Sequence, residues 1–306
     1  MKGKHPALPH AALSILLVAT AAAVFAVATT AATATPPVRV DGATIKQDTK
    51  LHALLPASIK KRGVVNVASA WPYPPWEYSK GGQFVGVEAD LAKALGGVLG
   101  VKFKFHNVKF DGLIPGIIAG NYDVLISAVH DTKARQKALT FVDEVSVGSG
   151  FLVKKGNPDG ISDLGSLCGK TVAVAASSAQ VGYINAYQSK CGSAGSIQML
   201  TLPDDPSSVL AVTTGKASAY FSDKIALQYI ADTTGQGKVV QVVSNTPKGY
   251  GVSPVGMSVK KGNSLARALQ AGMQSLIKSG AYAKVLKTYH FGFAALPKAT
   301  INGATS

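Results

Sequence analysis

Cysteine is scarce in this sequence, which contains only Cys168 and Cys191. No histidine lies between or close to them, which argues against a metal site and against a thiol activated by a neighbouring imidazole. In an exported chain, an isolated pair of cysteines is typical of a structural bond. We therefore expect a disulfide between Cys168 and Cys191, which would stabilise the fold by roughly 3 kcal/mol.

Acidic residues are also few, with 16 Asp and Glu against 31 Lys and Arg and a formal net charge of +15. Such a surplus invites a nucleic-acid interpretation. However, the lysines come singly or in pairs, as at Lys60-Lys61 and Lys154-Lys155, and no basic stripe is interleaved with aromatic residues. We therefore expect a solvated basic surface and no nucleic-acid partner.

Long hydrophobic runs are absent except near the N-terminus, from Ala11 to Thr30. That run follows Lys2 and Lys4 and precedes Ala32-Thr33-Ala34, an order typical of a secretory signal peptide. We expect residues 1–34 to be cleaved, with a retained membrane anchor as the alternative. No cysteine lies near the cleavage site, so lipid attachment there is not expected. The expected location is periplasmic, or extracellular at the cell surface.

The order of hydrophobic patterns predicts an α/β fold with two lobes. Residues 35–58 are polar without periodicity, so we expect a flexible leader. From residue 59 onward, strand and helix patterns alternate, which indicates parallel α/β units. We predict lobe 1 from residues 59–147 and 251–292, lobe 2 from residues 148–250 with a hinge strand at each end, and a C-terminal tail at 293–306. A cleft between the lobes would then face the ends of their strands.

Two charged residues follow predicted strands in different lobes. Arg135, in lobe 1, carries a planar guanidinium that suits a carboxylate. Asp223, in lobe 2, suits an ammonium group. Together they would bind the two charges of an amino acid and favour closure of the lobes. The alternatives are that Arg135 is an exposed helix residue and that Asp223 only caps a helix.

Several motifs occur in order along the chain. The segment from Phe110 to Asp123 is similar to F-x-x-L-I-P-x-L-x-x-G-x-x-D, and the segment from Thr132 to Phe141 to T-x-x-R-x-x-x-x-x-F. Tyr73-Pro74-Pro75-Trp76-Glu77 is similar to Y-x-P-F-E, and residues 86–91 and 215–223 are similar to G-F-x-x-D-L and G-x-x-D-A-x-x-x-D. In this order the motifs resemble the family 3 extracellular solute-binding proteins of ABC importers, in the polar amino-acid group.

The resemblance implies a periplasmic-binding-protein type II fold, or Venus flytrap, with a double-stranded hinge. It implies a monomeric receptor that captures an amino acid and delivers it to an ABC permease, without catalytic residues, cofactor or metal. It also assigns ligand contacts on loops and strand ends of both lobes: Trp71, Tyr73, Phe110, Ser127, Ala128, His130, Ser177 and Ser178. For the aromatic residues the alternative is core packing, which is our interpretation of Trp76.

Two departures from the family bear on the ligand side chain. Ala70 stands where several members have an acidic residue, and His130 stands where Ser or Thr is frequent. A buried cation without an acidic partner is costly. We therefore expect an acidic or neutral polar ligand. For His130 the alternative is a structural hydrogen bond.

An enzyme on the same fold is the contrasting hypothesis, because some relatives are dehydratases that need a buried general acid such as Glu. The three glutamates, Glu77, Glu88 and Glu144, all fall in the first lobe, and the second lobe has neither Glu nor His. No nucleophile is paired with a base in the sequence. We therefore predict a protein that is not an enzyme, with a dehydratase as the alternative.

Overall fold

A computed structural model describes residues 37–244 and 248–304. The predicted signal peptide lies outside the described residues. Within the described part, no helix has both the length and the apolar character required to cross a membrane.

The first part of the chain builds most of lobe 1 and then enters a long strand that leads into lobe 2. Its elements in chain order are β1 (Val38–Val40), β2 (Ala43–Ile45), α1 (Thr49–Ala53), α2 (Ala57–Arg62), β3 (Val64–Ser69), β4 (Tyr78–Lys80), β5 (Gln83–Val85), α3 (Val87–Leu99), β6 (Lys102–Asn107), α4 (Leu113–Ala119), β7 (Val124–Leu125) and β8 (Leu139–Lys154).

The second part builds lobe 2 and then returns to lobe 1. Its elements are β9 (Thr171–Ala175), α5 (Ala179–Tyr187), β10 (Gln198–Leu202), α6 (Asp205–Thr214), β11 (Ala219–Asp223), α7 (Lys224–Thr233), β12 (Val240–Val243), β13 (Tyr250–Lys260), α8 (Leu265–Lys278) and α9 (Ala281–Thr288).

One continuous hydrogen-bonded path runs through both lobes, in the order β10-β9-β11-β8-β13-β7-β3-β6, with β12 also paired to β8. The first half of β8 pairs with β13 in lobe 1, from Leu139 opposite Lys260 to Val147 opposite Ser253. Its second half pairs with β11 and β12 in lobe 2. The two lobes are therefore joined by β8 and β13, as expected for a double-stranded hinge.

The two connecting segments lie side by side where they leave lobe 1. The backbone N–H of Gly148 donates to the carbonyl of Lys248 over 2.8 Å. A Cβ at Gly148 would lie 2.6 Å from the carbonyl oxygen of Tyr250, so the close approach of the segments requires glycine there. The predicted lobe boundaries at residues 147–148 and 250–251 remain predictions.

Each lobe has apolar clusters on both faces of its sheet, which is the layered packing that alternating strands and helices predict. In lobe 1, α3 and α8 bury Leu95, Leu99 and Leu269 against one face. In lobe 2, Phe151 and Phe221 stack with ring centres 4.7 Å apart.

The disulfide between Cys168 and Cys191 is confirmed, with Cα atoms 5.4 Å apart. It joins the segment before β9 to the segment that follows α5. Cys191 belongs to the apolar cluster of lobe 2 that includes Phe151 and Phe221.

Residues 35–58 were expected to form a flexible leader, but the structure has regular elements from Val38 onward. From Val38 the chain forms the β1–β2 hairpin and then α1, and the side chains of Val40, Ala43 and Ile45 are buried in the lobe 1 core. The turn sequence Asp41-Gly42 between alternating apolar residues is a hairpin signal, although the strands are only three residues long.

The C-terminal tail packs on lobe 1. Ile301 forms a β-bridge with Val142, and Ala295 forms one with Val145. The side chain of Asp143 accepts hydrogen bonds from the Thr300 hydroxyl and from the Gly303 N–H. The tail thereby covers the outer side of β8, where this strand enters the hinge.

Candidate functional site

A cleft of about 520 Å³ lies between the lobes, within the usual size of small-molecule sites. Its walls come from loops that follow strands in both lobes. The residues that line it are Ala70, Trp71, Pro72, Tyr73, Asn107, Val108, Lys109, Phe110, Ala128, His130, Arg135, Ala175, Ser178, Ala179, Gln180, Pro203, Asp204, Asp205, Tyr220, Ser222 and Asp223.

Arg135 is positioned by two carbonyl groups from different lobes. Its Nη1 donates to the carbonyl of His130 over 2.7 Å, and its Nη2 donates to that of Ser177 over 2.9 Å. The predicted helix around Arg135 is a single 3-10 turn, because β8 already begins at Leu139. Burial lowers the pKa of Arg135 to about 10, so its guanidinium stays charged at neutral pH.

The loop at Ser177 and Ser178 presents polar groups toward the side of the cleft where Arg135 lies. Ser177 has φ +61°, the left-handed conformation that glycine adopts without strain. Its carbonyl holds Arg135, and the residue lines a smaller adjoining pocket rather than the main cleft. Ser178 is the N-cap residue of α5, and its Oγ is buried with no partner among the described residues.

Asp223 lies at the end of β11 and also caps α7. Its Oδ1 accepts from the N–H groups of Ile225 and Ala226, each over 3.0 Å. The same oxygen accepts from the indole Nε1 of Trp76 in lobe 1 over 3.2 Å. Oδ2 is buried and has no hydrogen-bond partner in the described chain. Burial raises the pKa of Asp223 to about 7.

The predicted aromatic contacts Trp71, Tyr73 and Phe110 all line the cleft. The Tyr73 hydroxyl lies 3.4 Å from the Ser222 hydroxyl in the other lobe. Trp76 is instead 1 % exposed and packs edge-on against Phe291, so it belongs to the core as interpreted from the sequence.

Strand β7 ends at Leu125, and the bend that follows it carries Ser127 and Ala128. Ala128 lines the cleft with φ +47°, and its N–H donates to both carboxyl oxygens of Glu88, over 2.8 and 2.9 Å. Ser127 is not among the lining residues. Its side chain is buried, and its hydroxyl donates to Glu77 over 2.7 Å.

His130 lines the cleft and also has a structural partner. Its Nδ1 lies 2.8 Å from the Ser253 hydroxyl, whereas Nε2 is buried without a partner among the described residues. Burial, with a contribution from Arg135, lowers the pKa of His130 to about 3, so the imidazole is neutral at physiological pH.

Sequence reasoning missed several polar residues of the cleft: Asn107, Lys109, Gln180, Asp204, Asp205, Tyr220 and Ser222. A signal for some of them was present. Asp204 and Asp205 come directly after β10, and Tyr220 and Ser222 alternate along β11 toward Asp223. The carboxyl ends of neighbouring parallel strands converge at one edge of a sheet.

The sequence model of the bacterial extracellular solute-binding proteins, family 3, matches residues 65–293. The chain belongs to this family. The match covers most of the chain and both lobes, and it confirms the resemblance drawn from the motifs. Proteins of this family lie outside the cytoplasm.

Curated relatives match over most of their length. The arginine-binding protein ArgT of Corynebacterium glutamicum is 27% identical over 257 residues, which are 83% of this chain and 83% of that protein. The histidine-binding periplasmic protein of Salmonella typhimurium is 28% identical over 222 residues, 71% of this chain and 84% of that protein. Both relatives are named as binding proteins rather than enzymes.

Solved structures share the fold. An ancestral arginine-binding protein bound to arginine has a TM-score of 0.67 at 30% identity, covering 74% of this chain and 98% of its own. An ancestral amino-acid-binding protein, described as a precursor of cyclohexadienyl dehydratase, has a TM-score of 0.65 at 28% identity, covering 76% of this chain and 97% of its own. The predicted type II fold is therefore confirmed.

Proposed function

We propose that this protein is an extracytoplasmic receptor that captures one amino acid between its lobes and delivers it to an ABC permease. The observation that carries the proposal is the pairing, within one cleft, of Arg135 from lobe 1 with Asp223 from lobe 2. We further propose that it acts as a monomer and that no lipid is attached at a signal-peptide cysteine.

Arg135 supplies the charge that an α-carboxylate needs, and Ser178 adds an unpartnered hydroxyl beside it. The first turn of α5 follows Ser178, and its free N–H groups also favour an anion. The carboxylate would thus bind groups from both lobes.

The unpartnered Oδ2 of Asp223 suits the α-ammonium group. A zwitterion would compensate both charges, and removal of either protein partner would leave a desolvated charge. Because the favourable contacts come from two lobes, the ligand interacts better with the closed arrangement, which is what shifts the balance toward closure.

The side chain of the ligand would extend toward Trp71, Tyr73 and Phe110. Ala70 and the neutral imidazole of His130 line the cleft without adding a charge to it. An acidic side chain fits less well, since Asp204 and Asp205 line the same cleft and would repel it. The names of the relatives include arginine, histidine and cystine, so they support an amino acid without selecting one.

Arg135→Ala tests the proposal, with Lys137→Ala as the matched control because Lys137 is an exposed cation in the same 3-10 turn. We expect Arg135→Ala to weaken binding of the preferred amino acid at least about a hundredfold, equivalent to about 3 kcal/mol, since a charge-assisted bidentate contact is lost. Lys137→Ala should bind like the wild type. Calorimetry after a thermal-shift screen of the common amino acids measures both. Equal affinities in Arg135→Ala and wild type would contradict the assignment.

A dehydratase is the second candidate. It is favoured by the similarity to the precursor of cyclohexadienyl dehydratase and by Asp205, whose burial raises its pKa to about 6, in the range of a general acid. Incubation of the purified protein with prephenate or arogenate, followed by product analysis, distinguishes the two. We expect no turnover, and measurable turnover would replace the receptor by the enzyme.

A further inference from the structure

We propose that Asp205 selects the side chain of the ligand, and that the ligand is a basic amino acid whose guanidinium or ammonium group binds this carboxylate. The inference rests on the proposed amino-acid receptor and concerns the part of the cleft that the α-carboxylate and α-ammonium leave free.

The carboxylate of Asp205 is oriented by its own lobe. Asp205 is the first residue of α6, after the N-cap Asp204, whose side chain accepts from the Ser207 N–H. Oδ1 of Asp205 accepts from the Tyr220 hydroxyl over 2.6 Å, and both residues line the cleft. Tyr220 lies on β11, the strand that ends at Asp223. The strand β11 therefore positions both Asp223, the proposed partner of the α-ammonium group, and Tyr220, which donates to Asp205.

The second oxygen of Asp205 lacks a partner. Oδ2 is buried and accepts no hydrogen bond from the described chain. No Lys, Arg or His among residues 37–244 and 248–304 forms an ion pair with Asp205. A desolvated carboxylate without a cation or a full set of donors is unfavourable. Burial raises the pKa of Asp205 to about 6. A cation from the ligand would supply the missing partner.

The charges that line the cleft lead to the same conclusion. The acids are Asp204, Asp205 and Asp223, and the cations are Arg135 and Lys109. Arg135 and Asp223 are matched by the two ends of the amino acid. Asp204 and Asp205 then remain, together with Lys109, which is exposed. His130 adds no charge, because it is neutral. The remaining space thus has a surplus of negative charge, which favours a third, positive group on the ligand.

Asp205 changes the interpretation of Ala70. Ala70 disfavours a cationic ligand only if the acidic partner has to come from position 70, in lobe 1. Asp205 offers that partner from lobe 2, across the same cleft. Its contact with the ligand side chain would form as the lobes close, so it would contribute directly to the preference of the ligand for the closed form.

L-Arginine and L-citrulline test the proposal, because citrulline has the size and shape of arginine without its charge. L-Lysine and L-glutamine provide a second pair. We expect the wild-type protein to bind arginine and lysine at least about thirtyfold more tightly than citrulline and glutamine, as measured by calorimetry at pH 7.5. A charge-assisted hydrogen bond to a buried carboxylate corresponds to that range.

Asp205→Asn removes the charge and keeps the acceptor for Tyr220. We expect it to reduce the arginine-to-citrulline preference to less than about threefold, through a loss of arginine affinity, while citrulline binding persists and reports an intact fold. Asp159→Asn is the matched control, since Asp159 is an exposed carboxylate of lobe 2 that does not line the cleft. It should keep most of the preference.

The outcomes separate the two levels of the proposal. If the wild type binds citrulline, glutamine or glutamate as tightly as arginine and lysine, the role of Asp205 is wrong and the receptor stands. The same holds if Asp205→Asn keeps the arginine preference. If no amino acid binds the wild-type protein, both the receptor and the role of Asp205 are overturned.

Discussion

Behind Ala128, three glutamates share one buried region of lobe 1. The carboxylate of Glu88 accepts from the Ala128 N–H, and Glu77 and Glu144 approach Glu88 closely enough to donate to it when protonated. Burial, followed by the charge of Glu88, raises the pKa of Glu77 and of Glu144 well above the usual value. The backbone of Ala128, which lines the cleft, is thereby held by the carboxylate of Glu88.

Glu144→Gln should change how stability depends on pH. Because the pKa of Glu144 is raised in the folded state, the folded protein binds more protons than the unfolded chain above about pH 4.5. This group therefore lowers stability as pH rises toward its folded pKa, by up to about 1.4 kcal/mol per pH unit. Glutamine does not titrate. We expect the variant to lose less stability than the wild type between pH 5 and pH 8 in urea unfolding. Parallel pH profiles of the two proteins would contradict this assignment.

At the residue scale, four residues that the motifs and strand ends singled out in the sequence do line the cleft. Arg135, Asp223, Tyr73 and Phe110 all line the cleft. Ser127 does not, because a strand end fixes the position of the backbone but not which neighbouring side chain turns inward. Asp205 follows β10 directly, but it was missed because this position reaches the cleft only through the order of β10, β9 and β11 in the sheet, which contacts between distant segments determine.

At the scale of elements, the disulfide secures the part of lobe 2 around α5. The bond spans a sequence separation of 23 residues. Replacing both cysteines by alanine releases that loop in the unfolded chain, so we expect a loss of about 3 kcal/mol in the free energy of unfolding. Chemical denaturation of the exported protein measures the loss, and mass spectrometry should find no free thiol in the wild type. Two free thiols after export would contradict the bond.

The helices and strands show where local patterns suffice. β9 and β10 are short stretches rich in apolar residues, a pattern that predicts buried strands. The β1–β2 hairpin and the packed C-terminal segment were not predicted. Their short apolar stretches become buried only through contacts with α3 and β8, which lie far away in the sequence. Their local polarity therefore led to the prediction of a flexible leader for the hairpin and of a tail for the C-terminal segment.

At the scale of the whole molecule, side chains already connect the lobes in this arrangement. Trp76 donates to Asp223, Arg135 donates to the carbonyl of Ser177, and the hydroxyls of Tyr73 and Ser222 lie 3.4 Å apart. The indole N–H of Trp76 is notable because the family motif has Phe at this position, and Phe has no donor. The N–H thus adds a contact between lobes that a Phe cannot make.

Trp76→Phe should weaken closure while leaving the ring packed against Phe291. A hydrogen bond to a charged group contributes about 1.5–3 kcal/mol. We expect ligand affinity to fall about tenfold and small-angle scattering of the ligand-free variant to show a larger radius of gyration than the wild type. Thermal unfolding of the ligand-free variant checks that the core persists. An unchanged affinity together with an unchanged radius would show that the indole N–H does not contribute to closure.

The side-by-side position of the two connecting segments has a consequence for modular engineering. The chain leaves lobe 1 near Gly148 and re-enters it near Tyr250, and the N–H of Gly148 bonds to Lys248. Lobe 2 is thus an insertion whose two junctions are neighbours, so a foreign lobe with equally close ends could replace it without lengthening either strand. Chimeras of that kind would show which ligand contacts each lobe supplies.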